Sequence, residues 1–159
     1  MTDNILHSSQ LDQFDRAILA ELRQDGRLPI TELANRIGLS NTPCQIRVKR
    51  LISDGYITGF RAMINPGKLG LVQVAFVEVK LDDTRENALA AFNEAVCQVP
   101  EIEQCHMIAG AFDYLLKIRT SDMRSYRDVL GRIVSSLPHV ASTSTHVSMQ
   151  SVKDDAFAA

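Results

Sequence analysis

The chain has 159 residues, with 17 Lys and Arg against 19 Asp and Glu and a net charge of −2. That length suits one or two small domains with working cores, and the charge balance excludes a uniformly polycationic coat for nucleic acid. No apolar run approaches the roughly 20 residues of a membrane span. The first ten residues lack the basic and apolar regions of a secretory leader, and Cys44, Cys97 and Cys105 fall in no paired spacing. A cytoplasmic protein with reduced thiols is expected. His7, His106, His139 and His146 add no ligand spacing, so no metal site is expected.

Residues 1–10 are polar and aperiodic, an arm without Lys or Arg that receives no role. From Leu11, apolar Leu11, Phe14, Ile18, Leu19 and Leu22 recur at helical spacing through Gln24, and Asp25-Gly26 ends that helix. Asp12 and Asp15 lie near its N-terminus, where the helix dipole favours anions. TELANRIGLSNTPCQIRVKRL, from Thr31 to Leu51, then reads as two short helices joined by a tight turn. Thr31 is the expected cap of the first, with Ile30, Leu33, Ala34 and Ile37 as its apolar stripe and Gly38 as its left-handed stop. Ser40 is the expected cap of the second, which tolerates Pro43 in its first turn.

At about 100° per residue, Cys44, Val48, Leu51 and Ile52 of the second helix face the preceding helices. Thr42, Pro43, Ile46, Arg47, Lys49 and Arg50 sweep the other side, with Gln45 on the flank. Lys and Arg neutralise phosphates, while Gln, Thr and Arg read base edges. A solvated charged face would account for Lys49 and Arg50 alone, but Ala34-x-x-x-Gly38-Leu39-Ser40 sharpens the reading to a helix–turn–helix. The residues expected at double-stranded DNA are Ser40, Asn41, Thr42, Gln45, Ile46, Arg47, Lys49 and Arg50. Between Ser40 and Asn65 the cations Arg47, Lys49, Arg50 and Arg61 stand against Asp54 alone, so the basic surface is expected to be local to this reading head.

Asp54 to Met63 alternates large residues between glycines and reads as a short strand or two, a small wing on which Arg61 suits phosphate and solvent equally. Asn65-Pro66-Gly67 is a turn. The expected organisation is a winged helix–turn–helix domain over residues 11–64, a linker over 65–71 and a second domain over 72–152. Val72 to Leu81 is strand-like with both faces apolar, as if covered on both sides. Thr84 caps a helix carrying Leu89, Phe92, Val96 and Val99, and strands Ile102–Ala109 and Tyr114–Thr120 join through Gly110 to Asp113. Ser121 or Asp122 caps a helix with Tyr126, Leu130, Ile133, Val134 and Leu137 inward, ended by Pro138. Val140 to Met149 closes as a strand, and the tail from Lys153 reads as loose. The order β-α-β-β-α-β is the ferredoxin-like split unit, making the chain α+β, with both helices on one sheet face. The other face needs cover. A second copy supplies it most simply, giving a two-fold homodimer that sets two reading heads on one palindrome-like site.

These segments resemble the Lrp/AsnC (feast/famine) family of transcription regulators over essentially the full length. The resemblance is carried by LDQFDRAILAELRQDGR, the helix–turn–helix stretch, DGYITGFRAMINPGKLG, EQCHMIAGAFDYLLKIRTSDMRSYRDVLGRIVSSLP and STHVSMQSVK. Within the family the leucine-responsive branch looks nearest, through Cys105-His106 and Gly110 to Lys117. The resemblance implies a C-terminal amino-acid-sensing domain, dimers that assemble further, commonly into octamers, and DNA bent or wrapped around them. It implies no cofactor beyond a small effector, usually an amino acid, bound in clefts between sensing domains. Gly110 to Asp113 would supply much of each cleft, since a glycine loop presents N–H groups to a carboxylate and an Asp holds an ammonium. The effector residues carried over are Met107, Gly110, Asp113, Met123, His146, Val147 and Ser148. The relative compared has Tyr-Val-Val where this chain has His146-Val147-Ser148, a more polar lining than a branched apolar ligand such as leucine calls for. Plainer roles fit the same residues: a turn-capping Asp113, a half-buried strand histidine at 146, core filling by Met107 and Met123.

The expected function is a sequence-specific DNA-binding regulator of amino-acid metabolism, its DNA binding or assembly shifted by an amino-acid effector. The alternative is a nucleoid-organising protein that senses nothing. An enzyme is not expected, because the sequence offers no nucleophile–base pair, metal spacing or phosphate loop. An RNA-recognition module of this topology would carry stacking aromatics on its central strands, where this chain has Cys105, His106, Met107, Leu115 and Leu116.

Overall fold

A computed structural model describes residues 11–153; the polar arm and the tail beyond Lys153 lie outside the described residues. The chain forms two compact units that divide between Ala62 and Met63.

The first unit holds three helices, α1 (Gln13–Gln24), α2 (Ile30–Ile37) and α3 (Asn41–Ser53). A reciprocal capping box opens α1: the Asp12 carboxylate accepts the Asp15 N–H at 2.9 Å, and the Asp15 carboxylate accepts the Asp12 N–H at 3.2 Å. α2 begins earlier than Thr31 suggests. Pro29, with φ −59°, holds the cap position and accepts the Leu33 N–H at 2.9 Å, so Thr31 falls inside the first turn. Gly38 stops α2 at φ +72°, as expected, and the Leu39 N–H bonds back to the Ala34 carbonyl at 2.9 Å. Ser40 stands at the α3 cap position, but through its backbone rather than its hydroxyl. Ile18, Leu28, Leu33, Ala34, Cys44, Val48 and Leu51 form the buried core. Ile52, expected inward, is exposed. Cys44, Val48 and Leu51 already fill the inner stripe at i, i+4 and i+7, and the next residue turns away.

The expected wing is not a strand. After α3 the chain carries no regular structure from Ile57 to Asn65. Ile57 instead joins the helical core, its N–H bonded to the Leu51 carbonyl at 3.1 Å. The Phe60 ring lies so near Gly26 that a Cβ there would come within 3.2 Å of it.

In the second unit the Asn65-Pro66-Gly67 turn is a short 3-10 turn, Pro66–Leu69, capped by Asn65 accepting the Lys68 N–H at 3.2 Å. There follow β1 (Gln73–Leu81), α4 (Glu86–Val96), β2 (Ile102–Met107), β3 (Tyr114–Thr120), α5 (Met123–Arg132) and β4 (Val140–Val147). The strands pair antiparallel in the order β2-β3-β1-β4, the expected split β-α-β arrangement. Thr84 does not cap α4; Asp83 organises that corner, accepting the Arg85 N–H at 2.9 Å. Asp122 caps α5 through the Ser125 N–H at 2.7 Å.

One sheet face is sealed. Ala75, Val77, Val79, Tyr114, Leu116 and Ile118 pack on Phe92 and Val96 of α4 and on Tyr126 and Val129 of α5. Phe92 and Tyr114 stack at 4.4 Å between ring centroids. The other face of β1 carries Val74, Phe76, Glu78 and Lys80. The pairing register sets these beside Arg119, Lys117 and Leu115 of β3 and beside His146, Ser144 and Ser142 of β4. Phe76 remains 37% exposed there, so the chain itself covers β1 on one side, not two.

Candidate functional site

α3 presents a continuous outward stripe. Thr42, Gln45, Ile46 and Lys49 follow one another at i, i+3, i+4 and i+7, all exposed, with Asn41 and Pro43 exposed beside them in the first turn. A hydroxyl, an amide, an apolar branch and an ammonium suit base edges, a thymine methyl and a phosphate. Ile46 is 62% exposed, an unusual place for isoleucine on a helix that has an apolar core to join. Ser40 and Asn41 stand at the N-terminal end of the stripe, where a recognition helix meets base edges.

Arg47 and Arg50 behave differently from the outward cations expected. Arg47 turns toward α1, where its Nη1 donates to Asp12 Oδ2 at 2.6 Å and to Asp15 Oδ1 at 2.9 Å. Its guanidinium also lies 5.4 Å from the centroid of the Phe14 ring. Arg50 Nη2 donates to Asp15 Oδ2 at 2.5 Å. The Asp15 side chain is only 2% exposed, so a buried carboxylate receives two guanidiniums and a backbone N–H. The Asp15 N–H and then the Arg47 guanidinium hold the Asp12 carboxyl below its ordinary 3.8. Hydrogen bonds to Asp12 and Asp15 raise Arg47 in turn. Lys49 is therefore the cation that stands clear of α1 on this face.

Asp12 and Asp15 did not emerge as functional residues from sequence. Their signal was present in the capping-box spacing, Asp-x-x-Asp. A charge balance counted from Ser40 onward leaves both of them out.

The effector candidates fall into two groups. Met107 ends β2, Gly110 and Asp113 lie in the following loop, and the Asp113 N–H bonds to the Val79 carbonyl near the end of β1. His146 pairs with Phe76 near the start of β1, Val147 with Ala75, and the Ser148 N–H bonds to the Val74 carbonyl. Met123 opens α5 beyond Thr120, which pairs with Gln73 at that same end. β2 and β4 are also opposite edges of the sheet. One chain therefore brings Met107, Gly110 and Asp113 together at one end and sets His146, Val147, Ser148 and the start of α5 toward the other, without joining the two groups.

Asp113 is a clasp between strands. Its Oδ2 accepts the Leu81 N–H at 2.8 Å, and its Oδ1 stands 3.6 Å from Lys80 Nζ. A hollow of about 210 Å³ beside its loop is lined by Glu78, Lys80, Ala111, Phe112, Ser142, Thr143 and Ser144. His146 Nε2 lies 3.2 Å from Glu78 Oε1 on the open sheet face. Met107 and Met123 are exposed rather than core filling. Among the described residues no cluster of His, Cys, Asp and Glu side chains is placed to hold a metal ion. Among them, too, no helix is long and apolar enough to cross a membrane.

Two family descriptions match: a winged helix-turn-helix DNA-binding domain over residues 11–58 and the Lrp/AsnC ligand binding domain over residues 74–156. The proline dehydrogenase transcriptional activator of Rhizobium radiobacter is 61% identical over 147 residues, covering 92% of this chain and 94% of that protein. The leucine-responsive regulatory protein of Escherichia coli strain K12 is 46% identical over 143 residues, covering 90% of this chain and 87% of that protein. A transcriptional regulator from Neisseria meningitidis, solved in complex with L-methionine, superposes with a TM-score of 0.85 at 29% identity, covering 91% of this chain and 93% of that one. The chain belongs to the Lrp/AsnC family of transcription regulators, with a DNA-binding helix–turn–helix unit followed by a ligand-binding unit.

Proposed function

We propose that the chain acts in the cytoplasm as a homodimer, or a larger assembly up to an octamer, that activates a proline dehydrogenase gene when proline is bound. The observation that carries the assembled form is the separation of the effector residues. A free amino acid needs its carboxylate and its ammonium held together, and Asp113 lies at the opposite end of the sheet from His146 and Ser148. Bringing one chain's Gly110–Asp113 loop to another chain's β4 would complete such a cleft, and the open face around Phe76 offers a surface for a second copy. The target gene rests on the name of the Rhizobium radiobacter relative, and proline as effector is inferred from it as the substrate of that gene's product. Proline also asks for less apolar depth than leucine, in keeping with His146 and Ser148. The effector then works by population shift, favouring one assembly or one spacing of reading heads, and is not turned over.

Fluorescence anisotropy of the full chain on its own upstream DNA, and on DNA upstream of a proline dehydrogenase gene, tests this with proline, leucine and methionine added in turn. Salt-sensitive binding that proline shifts is the expected result, with gel filtration and light scattering giving a dimer or larger. A monomer by light scattering would refute the assembled cleft. Binding that no amino acid changes would favour the nucleoid-organising role.

A further inference from the structure

On an α3 that reads DNA, Arg47 and Arg50 are the two strongest phosphate ligands the sequence supplies, and α1 holds both. Asp12 and Asp15 are not incidental neighbours. They form the reciprocal box that starts α1, so their carboxylates are fixed before any arginine arrives. Asp15 is sealed from solvent with one oxygen on each arginine. Arg47 is further held between Asp12 and the Phe14 ring. Each guanidinium is anchored to α1 through one nitrogen, so swinging outward to a phosphate beyond its present reach costs charge-assisted bonds at 2.5–2.9 Å.

The geometry points to Asp12 and Asp15 as positioning residues for DNA recognition: they withhold Arg47 and Arg50 from the backbone, so that α3 reads through Thr42, Gln45 and Ile46 with Lys49 as its principal phosphate contact. The consequence is a choice of selectivity over strength. Phosphate contacts add affinity for every sequence alike, whereas base contacts separate one sequence from another. A helix with three free cations would hold any duplex tightly. With its arginines bound to α1, its binding falls off-site and keeps its on-site share. The idea rests on α3 being the reading helix, and the test below separates the two claims.

Asp12→Asn is the informative variant. Asparagine caps a helix as well as aspartate does, so α1 keeps its start while Arg47 loses a charged partner. Anisotropy of the full chain on its promoter duplex and on a scrambled duplex, each across a salt series, gives affinity, selectivity and salt slope together. The expected result is several-fold tighter binding to the scrambled duplex, a narrower gap between the two duplexes, and a salt slope steeper by about one phosphate contact. Removing any negative charge raises DNA affinity slightly, so the same substitution is repeated in an Arg47→Ala background. There the gain should shrink to that slight general increment, because the released group is gone. A gain that survives undiminished without Arg47 would overturn the proposal. So would scrambled-duplex affinity and slope unchanged by Asp12→Asn while Lys49→Ala lowers both. If Lys49→Ala and Gln45→Ala change neither affinity nor selectivity, α3 is not the reading helix, and that failure is seen apart from the first.

Discussion

In the N-terminal unit one buried carboxylate, Asp15, takes two guanidiniums from a helix 32 and 35 residues further along the chain. In the C-terminal unit one carboxylate on an edge strand, Glu103, takes the ammonium of Lys117 at 3.5 Å and the guanidinium of Arg119, both from the neighbouring strand. The two clusters share a composition and differ in what is sealed. At Asp15 the acid is buried and the arginines keep some contact with water. At Glu103 the cations are buried, their side chains 9% and 10% exposed, and the acid is the more open partner. The first cluster holds two helices together across the unit. The second lies between strands that backbone bonds already join. Burial of charge costs solvation in both, so what decides the worth of each is what remains when one partner goes.

Removing Asp15 should have the largest effect. Asp15→Ala leaves Arg50 without its α1 partner, breaks the capping box and removes two of the three ionic ties between α1 and α3. A loss of about 3 kcal/mol is expected, read from urea unfolding of the full chain. A loss below about 1 kcal/mol would mean that Arg47 and Asp12 alone hold the helices. Glu103→Ala should cost less, about 2 kcal/mol, since the backbone ladder between β2 and β3 survives and still joins the strands. If Glu103→Ala proved the costlier change, the strand cluster would be the keystone, and sealing the cations would matter more than sealing the acid.

Asp113 sharpens the comparison, because there a carboxylate serves a backbone group. Asp113→Ala strips the acceptor from the Leu81 N–H, where Leu81 is buried, and should cost about 1.5 kcal/mol. Asp113→Asn keeps an acceptor oxygen but not the charge, so it should stay near the parent in stability while losing the response to an amino acid. Equal unfolding midpoints for the two variants would show that the clasp does not depend on that acceptor.

The fold was legible because its signals are local. Apolar spacing of 3.6 or 2, Gly38 as a stop and Asp122 as a cap placed the helix starts and all four sheet strands near their observed bounds, but α5 ends at Arg132, with a 3-10 turn at Val134–Ser136, instead of running to Pro138. Thr31 and Thr84 were misplaced as caps where a neighbour holds the position through its backbone: Pro29 by its fixed φ, and Arg85, whose N–H Asp83 bonds and whose carbonyl accepts the Leu89 N–H. The wing over Asp54–Met63 failed for a related reason, since alternation marks an extended segment without saying whether a partner strand exists to pair with it. The exposed stripe Thr42, Gln45, Ile46 and Lys49 was legible from helical geometry alone. The inward turn of Arg47 was not, because its partners lie 32 and 35 residues away and no local period reports them. The effector candidates came from family likeness, and only the sheet register shows that one chain divides them between two ends.

Lys49 offers a change in function with little change in stability. Exposed on α3, it touches neither Asp12 nor Asp15, so Lys49→Ala should stay within about 0.5 kcal/mol of the parent in stability. It should lower the salt slope of DNA binding by about 0.9. Arg47→Ala should do the reverse, costing stability while leaving the slope nearly unchanged. Equal slope losses in both would place Arg47 on the phosphates and undo the contrast between the two side chains.

The smallest effect is expected at a pair that is wholly local. The Asp83 carboxylate receives Arg85 Nη2 at 2.5 Å, Nε at 2.9 Å and the Arg85 N–H at 2.9 Å, all from two residues along the chain. The guanidinium first, and the backbone N–H second, bring its pKa down from 3.8 to about 2. A carboxyl lowered in the folded state lends its stabilisation in full above the unfolded value and loses it as the pH falls toward the folded one. The window therefore lies between 3.8 and about 2. Arg85 is almost fully exposed, so water and salt screen the pair and its share of stability is slight. Arg85→Ala should move the Asp83 midpoint, followed by carboxyl-carbon NMR, most of the way back to 3.8, with the residue-85 N–H keeping it somewhat lower. A midpoint that stays near 2 would assign the shift to the backbone bond, and Asp83 would then resemble Asp12, whose carboxyl is lowered first by an N–H and only then by its arginine.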